Sequence, residues 1–173
     1  QVVVLDNLSH GYKKSVDLRA KLIIGDINDP KKTKLALEDV DAVMHLAGLI
    51  VVPQSVKEPI KYCQNNVLGT VNLLQCIKDS GCKKIIFSSS ACVYGTPDKL
   101  PIKEDAPLHP DNPYGATKAS IEAFLQAFHA CYGLDVTVLR YFNPYGPGKF
   151  YPPITHAIPK FIISTLAKKP IPL

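Results

Sequence analysis

The sequence predicts an α/β protein built on a doubly wound parallel sheet, and three observations carry that prediction. Short apolar runs rich in β-branched residues recur along the chain. Segments of helical periodicity separate them, the alternation that gives a parallel sheet with helices on both faces. The third observation is where the polar and small residues fall. Asp6, Asp26, Ala47-Gly48, Ser88-Ser89-Ser90 and Tyr141-Phe142-Asn143 all stand at the carboxyl ends of the expected strands. Ligands of such sheets bind along that edge.

Gln1 to Leu5 is a continuous apolar run closing on Asp6, read as a strand buried on both faces. Lys21 to Gly25 repeats the pattern and closes on Asp26, and Asp29-Pro30 opens a short helix through about Glu38. Asp41 to Ala47 is the third strand, ending at Gly48. After a proline-bearing loop, a helix is expected from Ile60 to Ser80, stopped by Gly81. Lys83 to Ser88 is the fourth strand and runs into the serine cluster. Residues 95–113 are rich in Pro, Asp and Gly and read as a long surface loop of the length usually kept for function. A helix follows from Pro113 to about Tyr132, with Gly133 as its stop, and Leu134 to Tyr141 is the fifth strand. Residues 143–153 form another Pro/Gly loop, and His156 to Ala167 is the last helix.

Asp6 ends its strand as does the acid that hydrogen-bonds the adenosine ribose in dinucleotide-binding folds, where it ends the second strand of the order 3-2-1-4-5-6. In that order the first strand is central. The chain therefore reads as a Rossmann-type domain that lacks its first strand and glycine-rich loop. Its first two strands should be separated by a gap from its last three. The stretch Lys169 to Leu173 reads as breaking off where a strand would begin.

Composition narrows the function classes. The 173 residues suffice for about one domain, and 46% hydrophobic with 20% charged residues fits a globular chain. No apolar run reaches the roughly 18 residues of a membrane span. The five cysteines are odd in number and include no Cys-x-x-Cys pair. They read as buried or semi-buried thiols of a reducing, cytoplasmic compartment, and no metal site is expected. A net charge of +5 from scattered lysine pairs suits small anionic ligands better than nucleic acid.

The chemistry centres on Asn112-Pro113-Tyr114-Gly115-Ala116-Thr117-Lys118. A helix opening at Pro113 puts Tyr114 and Lys118 four residues apart on one face. A phenol beside a fixed ammonium is easier to ionise than usual, which makes it a proton acceptor for a hydroxyl. A serine hydroxyl at the fourth strand end would donate to the oxygen whose proton is taken. No G-x-S-x-G is present, and none of the histidines has the setting of a hydrolase base.

The ordered set Asp6-Asn7-Leu8, Gly25-Asp26-Ile27, His45-Leu46-Ala47-Gly48, Asn65-Asn66-Val67-x-Gly69-Thr70, Ser-Ser-Ser-Ala-x-Val-Tyr-Gly, Pro-Tyr-Gly-x-x-Lys and Arg140-Tyr141-Phe142-Asn143 spans nearly the whole chain. It resembles the extended short-chain dehydrogenase/reductases, and within them the UDP-glucose 4-epimerase group. The resemblance implies Tyr114 as proton shuttle, Lys118 on the nicotinamide ribose lowering the Tyr114 pKa, and Ser90 as hydroxyl donor, with Ser88 and Ser89 lining the pocket. It implies NAD as cofactor, held by Asp6 and Asn7 at the adenosine ribose and by Asp26 and Ile27 at the adenine. Leu46, Ala47 and Gly48 would pass the pyrophosphate, with Asn65, Ser88 and Tyr141 completing the cofactor site. Ser90, Tyr114 and Asn143 would contact a UDP-sugar, and residues 143–173 would open the nucleotide-sugar-binding part. A homodimer is implied, built from apolar positions of the two long helices: Val67, Leu68, Val71, Leu74 and Ile77 with Ala119, Ile121, Ala123, Phe124, Leu125, Ala127, Phe128 and Cys131.

Two departures stand out. Ile50 occupies a position where many members of the group carry lysine. Asn143 to Gly148 and Ala157 to Phe161 look more like relatives acting on several UDP-sugars. The alternatives are a 4,6-dehydratase or reductase of the same family and a non-catalytic nucleotide-binding remnant. Dehydratases need a carboxylate just after the hydroxyl position, where this chain has Ala91 and Cys92.

Overall fold

The computed structural model describes residues 1–146 and 157–171. Two compact units meet in sequence at Tyr141 and Phe142. In the first unit all strand pairing is parallel and falls into two sheets. Strand β1 (Val3–Asp6) pairs with β2 (Lys21–Ile24), Val3 opposite Lys21 and Asp6 opposite Ile24. Strands β3 (Val43–His45), β4 (Lys84–Ser90) and β5 (Asp135–Tyr141) form the second sheet in that order. The α/β parallel architecture is as expected, and so is the separation of the first two strands from the last three.

The core lies over the second sheet. Helix α4 (Gly69–Ser80) and helix α5 (Pro113–Tyr132) bring Leu73, Leu74, Ile77, Ile121 and Leu125 against Ile85 and Phe87 of β4 and against Leu134. Burial along β4 alternates, with Ile85, Phe87 and Ser89 covered and their neighbours less so, because successive strand side chains point to opposite faces. Each fully buried Phe or Leu contributes about 1.5–3 kcal/mol relative to an exposed one.

β1 differs from expectation. It is half-buried throughout, not buried on both faces. It has a pairing partner on one edge only, and Val2 before it is 64% exposed. Across the gap, Met44 and Leu46 are likewise 55% and 57% exposed.

The helix expected from Ile60 is more articulated than the sequence suggested. Helix α2 (Val52–Lys57) and helix α3 (Pro59–Tyr62) each carry proline in the first turn, and a π turn (Cys63–Leu68) leads into α4. Proline sits well there because its missing N–H would have no intrahelical partner. Helix α1 (Pro30–Ala36) is capped by Asp29, whose carboxylate accepts from the N–H groups of Lys31 and Lys32. α5 starts and stops as expected. Asn112 accepts from Gly115 N–H at 2.9 Å, and Gly133 closes the helix in the left-handed region at φ 66.

Of the positions suggested for a dimer face, Leu74, Ile77, Ile121 and Leu125 belong to the core, whereas Leu68, Val71 and Phe124 are exposed. All five cysteines are free thiols, and Cys63 and Cys131 are exposed, not buried. The second unit contains helix α6 (Ala157–Leu166) and the exposed stretch Phe142 to Gly146. Residues 147–153 of the expected loop, His156 and residues 172–173 lie outside the described residues. Among the described residues no helix is long and apolar enough to cross a membrane, and no cluster of His, Cys, Asp and Glu is placed to hold a metal ion.

Candidate active site

Two clusters share the carboxyl edge of the first unit. One is a cavity of about 150 Å³ at the ends of β1, β2 and β3. Asp6, Asn7, Asp26, Ile27, Leu46, Ala47, Gly48 and Asn65 all line it, so most of the residues expected to bind the cofactor are brought together. Asp6 Oδ1 accepts from Leu8 N–H at 2.6 Å, which holds the turn after β1. Asn7 donates to Asp26 Oδ2 at 2.7 Å, and Asp26 also accepts from the backbone and side chain of Asn28. Burial pushes the Asp26 carboxyl up, but these hydrogen bonds outweigh it and hold the group below its usual range.

The second cluster sits where α5 begins. Tyr114 is buried, and the Ser90 hydroxyl neighbours its phenol closely enough to favour the phenolate. Ser90 ends β4 and caps the following 3-10 turn (Ala91–Tyr94) by accepting from Cys92 N–H at 3.2 Å. Gly115 makes this proximity possible, since a Cβ there would strike the carbonyl of Cys92. The Tyr114 N–H, one of the unpartnered donors of a helix start, is satisfied by Ser55 Oγ of α2 at 3.1 Å.

Lys118 lies one turn on, 2% exposed, its ammonium donating to the Ser88 carbonyl at 2.7 Å. The Nζ is 4.8 Å from the Phe87 ring centroid and 5.8 Å from that of Tyr114. Burial lowers its pKa to about 8. The expectation of a phenol made easier to ionise is corrected here. Burial raises the Tyr114 pKa above its ordinary value, the neighbouring Ser90 hydroxyl pulls it back only in part, and the Lys118 ammonium bonds a carbonyl instead.

The two clusters adjoin at Gly48, where a Cβ would lie 3.3 Å from Asn66 Oδ1 and 3.8 Å from Lys118 Nζ. Ser88 reaches Lys118 through its carbonyl, and Tyr141 stands exposed at the end of β5, in register with Ser90. Ser89 does not line the pocket. The strand's alternation turns it to the other face, where its hydroxyl donates to Glu122 at 2.5 Å. Asn143 is exposed and belongs to the second unit.

Asn66, which sequence reading passed over in favour of its neighbour, is the residue that joins the parts. It is 1% exposed and every polar valence of its amide is used. Oδ1 accepts from Leu49 N–H and from Asn65, while Nδ2 donates to the Leu49 carbonyl and to Thr117 Oγ1. Thr117 in turn donates to the Tyr114 carbonyl at 2.7 Å. Its sequence signal was the Asn-Asn pair followed by Gly69-Thr70, and the π turn that rotates Asn66 inward is not readable from spacing.

The residues match, from 1 to 173, the model of the NAD dependent epimerase/dehydratase family. The chain belongs to that family. It is 45% identical over 174 aligned residues to a UDP-glucose 4-epimerase of Lactobacillus helveticus, covering 96% of this chain and 53% of that protein. A UDP-N-acetylglucosamine 4-epimerase from Methanobrevibacter ruminantium M1, solved with UDP-N-acetylmuramic acid, superposes with a TM-score of 0.91 at 41% identity, over 97% of this chain and 56% of the other. A dTDP-glucose 4,6-dehydratase from Streptomyces venezuelae, solved with NAD, gives a TM-score of 0.88 at 35% identity, over 100% and 55%. The chain thus spans about half the length of the relatives it matches. The family's cofactor is NAD.

Proposed function

We propose that this chain carries the cofactor site and acid–base centre of a cytoplasmic UDP-sugar 4-epimerase. Its substrates would be UDP-glucose and UDP-galactose or their N-acetyl counterparts, interconverted through a 4-keto sugar. The observation that carries the reading is the buried Tyr114 phenol beside Ser90, with Lys118 buried one turn behind it.

The cavity fits NAD in its chemistry. Its described lining offers Asp6, Asn7 and Asp26 and includes no lysine or arginine. A carboxylate there suits free ribose hydroxyls and repels a 2′-phosphate. Asp6 and Asn7 would hold the adenosine ribose, and Asp26 and Ile27 the adenine. Leu46 to Gly48 would flank the pyrophosphate and Lys118 the nicotinamide ribose, with Asn65, Ser88 and Tyr141 completing the site. The chemistry NAD supplies when bound is reversible hydride acceptance.

The chain's own residues handle the proton. Tyr114 rests protonated, because burial holds its phenol above the ordinary range. The neighbouring Ser90 hydroxyl favours the phenolate needed to take the C4 hydroxyl proton. Ser90 donates to the sugar oxygen as it becomes a ketone. After the keto sugar presents its other face, Tyr114 returns the proton to that oxygen. Ala91 and Cys92 put no carboxylate beside this pair, which favours epimerisation over the dehydration performed by one relative.

Asn143 would contact the substrate diphosphate at the start of a nucleotide-sugar-binding part in 143–173. Exposed Leu68, Val71 and Phe124 support a homodimer through the long helices. The test of the function is Tyr114→Phe assayed on UDP-galactose and its N-acetyl analogue, with NAD content measured on the purified protein. Loss of turnover with NAD retained supports the reading. NAD-free protein would support the remnant reading.

A further inference from the structure

Lys118 and Glu122 stand four residues apart on the buried face of α5. Lys118 bonds the carbonyl of Ser88 at 2.7 Å, and Glu122 Oε1 accepts from the hydroxyl of Ser89 at 2.5 Å. The helix that presents Tyr114 is therefore held to β4 at two successive residues, immediately before Ser90. Glu122 is gripped in turn by Arg140 of β5. Its Nε lies 3.2 Å from both carboxylate oxygens and its Nη2 2.7 Å from Oε2. Arg140 Nη1 donates to the Tyr94 hydroxyl and to the Glu104 carbonyl, each at 2.7 Å. Tyr94 is the last residue of the turn that Ser90 caps.

The pair is largely withdrawn from water, at 7% exposure for Glu122 and 24% for Arg140. A buried pair of this kind is weak evidence for stability, since desolvation offsets its attraction. What the fork of a guanidinium on a carboxylate supplies is direction. Here it fixes α5, the end of β4 and the far end of the Ser90 turn in one frame.

We propose that Glu122 and Arg140 are positioning residues for the Ser90–Tyr114 pair, setting the spacing of helix and strand at which the proton passes between Tyr114 and the sugar oxygen. This rests on the acid–base role proposed above for Tyr114. Glu122 and Arg140 act through Ser89 and Tyr94, on the face of β4 opposite Ser90.

The test compares Glu122→Gln, Arg140→Lys and Ser89→Ala in the NAD-loaded protein, assayed on UDP-galactose. Each is expected to lower kcat roughly ten- to a hundredfold, since small misplacements of reacting groups cost that much, while KM and NAD content hold. The second readout is the Tyr114 midpoint, obtained as the difference in phenolate absorbance between each protein and its Tyr114→Phe counterpart. The groups facing that phenol are Ser90, Cys92, Tyr62 and Lys118. Drawing the Ser90 hydroxyl away from the phenol moves the midpoint up, whereas a merely structural role lowers the melting temperature and leaves the midpoint in place. Variants that hold NAD with wild-type kcat and an unmoved midpoint overturn the proposal. Should Glu122→Gln not fold, Ser89→Ala, which removes one hydroxyl, decides in its place. If Tyr114→Phe itself keeps wild-type turnover, the acid–base reading falls instead, and the midpoint still reports whether the pair positions the phenol.

Discussion

The two sheets of the first unit hold their polar residues by different means. At the ends of β1 and β2, Asp6, Asn7 and Asp26 face an open cavity; Asp6 and Asp26 accept from the N–H two residues on, and Asn7 bridges the two turns by donating to Asp26. At the end of β4, Ser90, Tyr114 and Lys118, with His45 at the end of neighbouring β3, are held by contacts from several elements over a dense core. The contrast matches the tasks proposed for the two regions. Recognition of a sugar or a base asks for reachable polar groups, while proton transfer asks for a dry and fixed geometry.

That contrast can be broken most forcefully in the packing. Phe87→Ala removes a side chain that is 0% exposed and should cost about 3–5 kcal/mol in chemical denaturation. Val4→Ala in half-buried β1 should cost about 1 kcal/mol, the size of losing buried methyl groups at a partly open site. Equal costs would show that the first sheet shares the core's cooperativity.

Titration sharpens the same comparison. His45 is buried against Phe87, and its Nε2 is 2.8 Å from Thr70 Oγ1. That hydroxyl already donates to the Asn66 carbonyl, so the imidazole donates from Nε2. Burial, with the Lys118 charge adding to it, lowers the His45 pKa to about 3. The unfolded chain binds the proton first, so stability present above the unfolded value of about 6.5 is lost as pH falls toward 3. His45→Gln should flatten that acid loss by roughly 4 kcal/mol, measured by denaturant melts at pH 7 and pH 3.5.

Lys118 gives a smaller effect at the other end of the scale. Its folded pKa of about 8 lies below the reference of 10.5, so the unfolded state holds more protons between these values and stability rises with pH across that window. Wild type should gain about 3 kcal/mol relative to Lys118→Met between pH 8 and 10.5. A parallel pH profile for the two proteins would contradict the burial described for the ammonium. The smallest effect is expected at the helix start, where Asn112→Ala removes the cap on Gly115 N–H and should cost about 1 kcal/mol.

Alternating β-branched runs and Asn-Pro, Asp-Pro and Gly punctuation made the strands, α1 and α5 legible, because these are local signals. The residues gathered in the cavity were legible for the same reason, since strand ends of a parallel sheet converge. Three features were not. Ser89 was misplaced because the register that turns it to Glu122 depends on which face α5 covers. Asn66 was passed over because a π turn leaves no spacing signature. The Tyr114 pKa was misjudged because proximity of Lys118 along a helix says nothing about the carbonyl that claims its ammonium.

The central claim is that Tyr114 moves the proton of the sugar hydroxyl. Turnover of UDP-galactose by the NAD-loaded Tyr114→Phe protein measures it most directly. The account predicts a loss of roughly 10²–10⁴-fold in kcat, the usual contribution of a positioned acid or base, with NAD still bound. Wild-type turnover by that variant would contradict it.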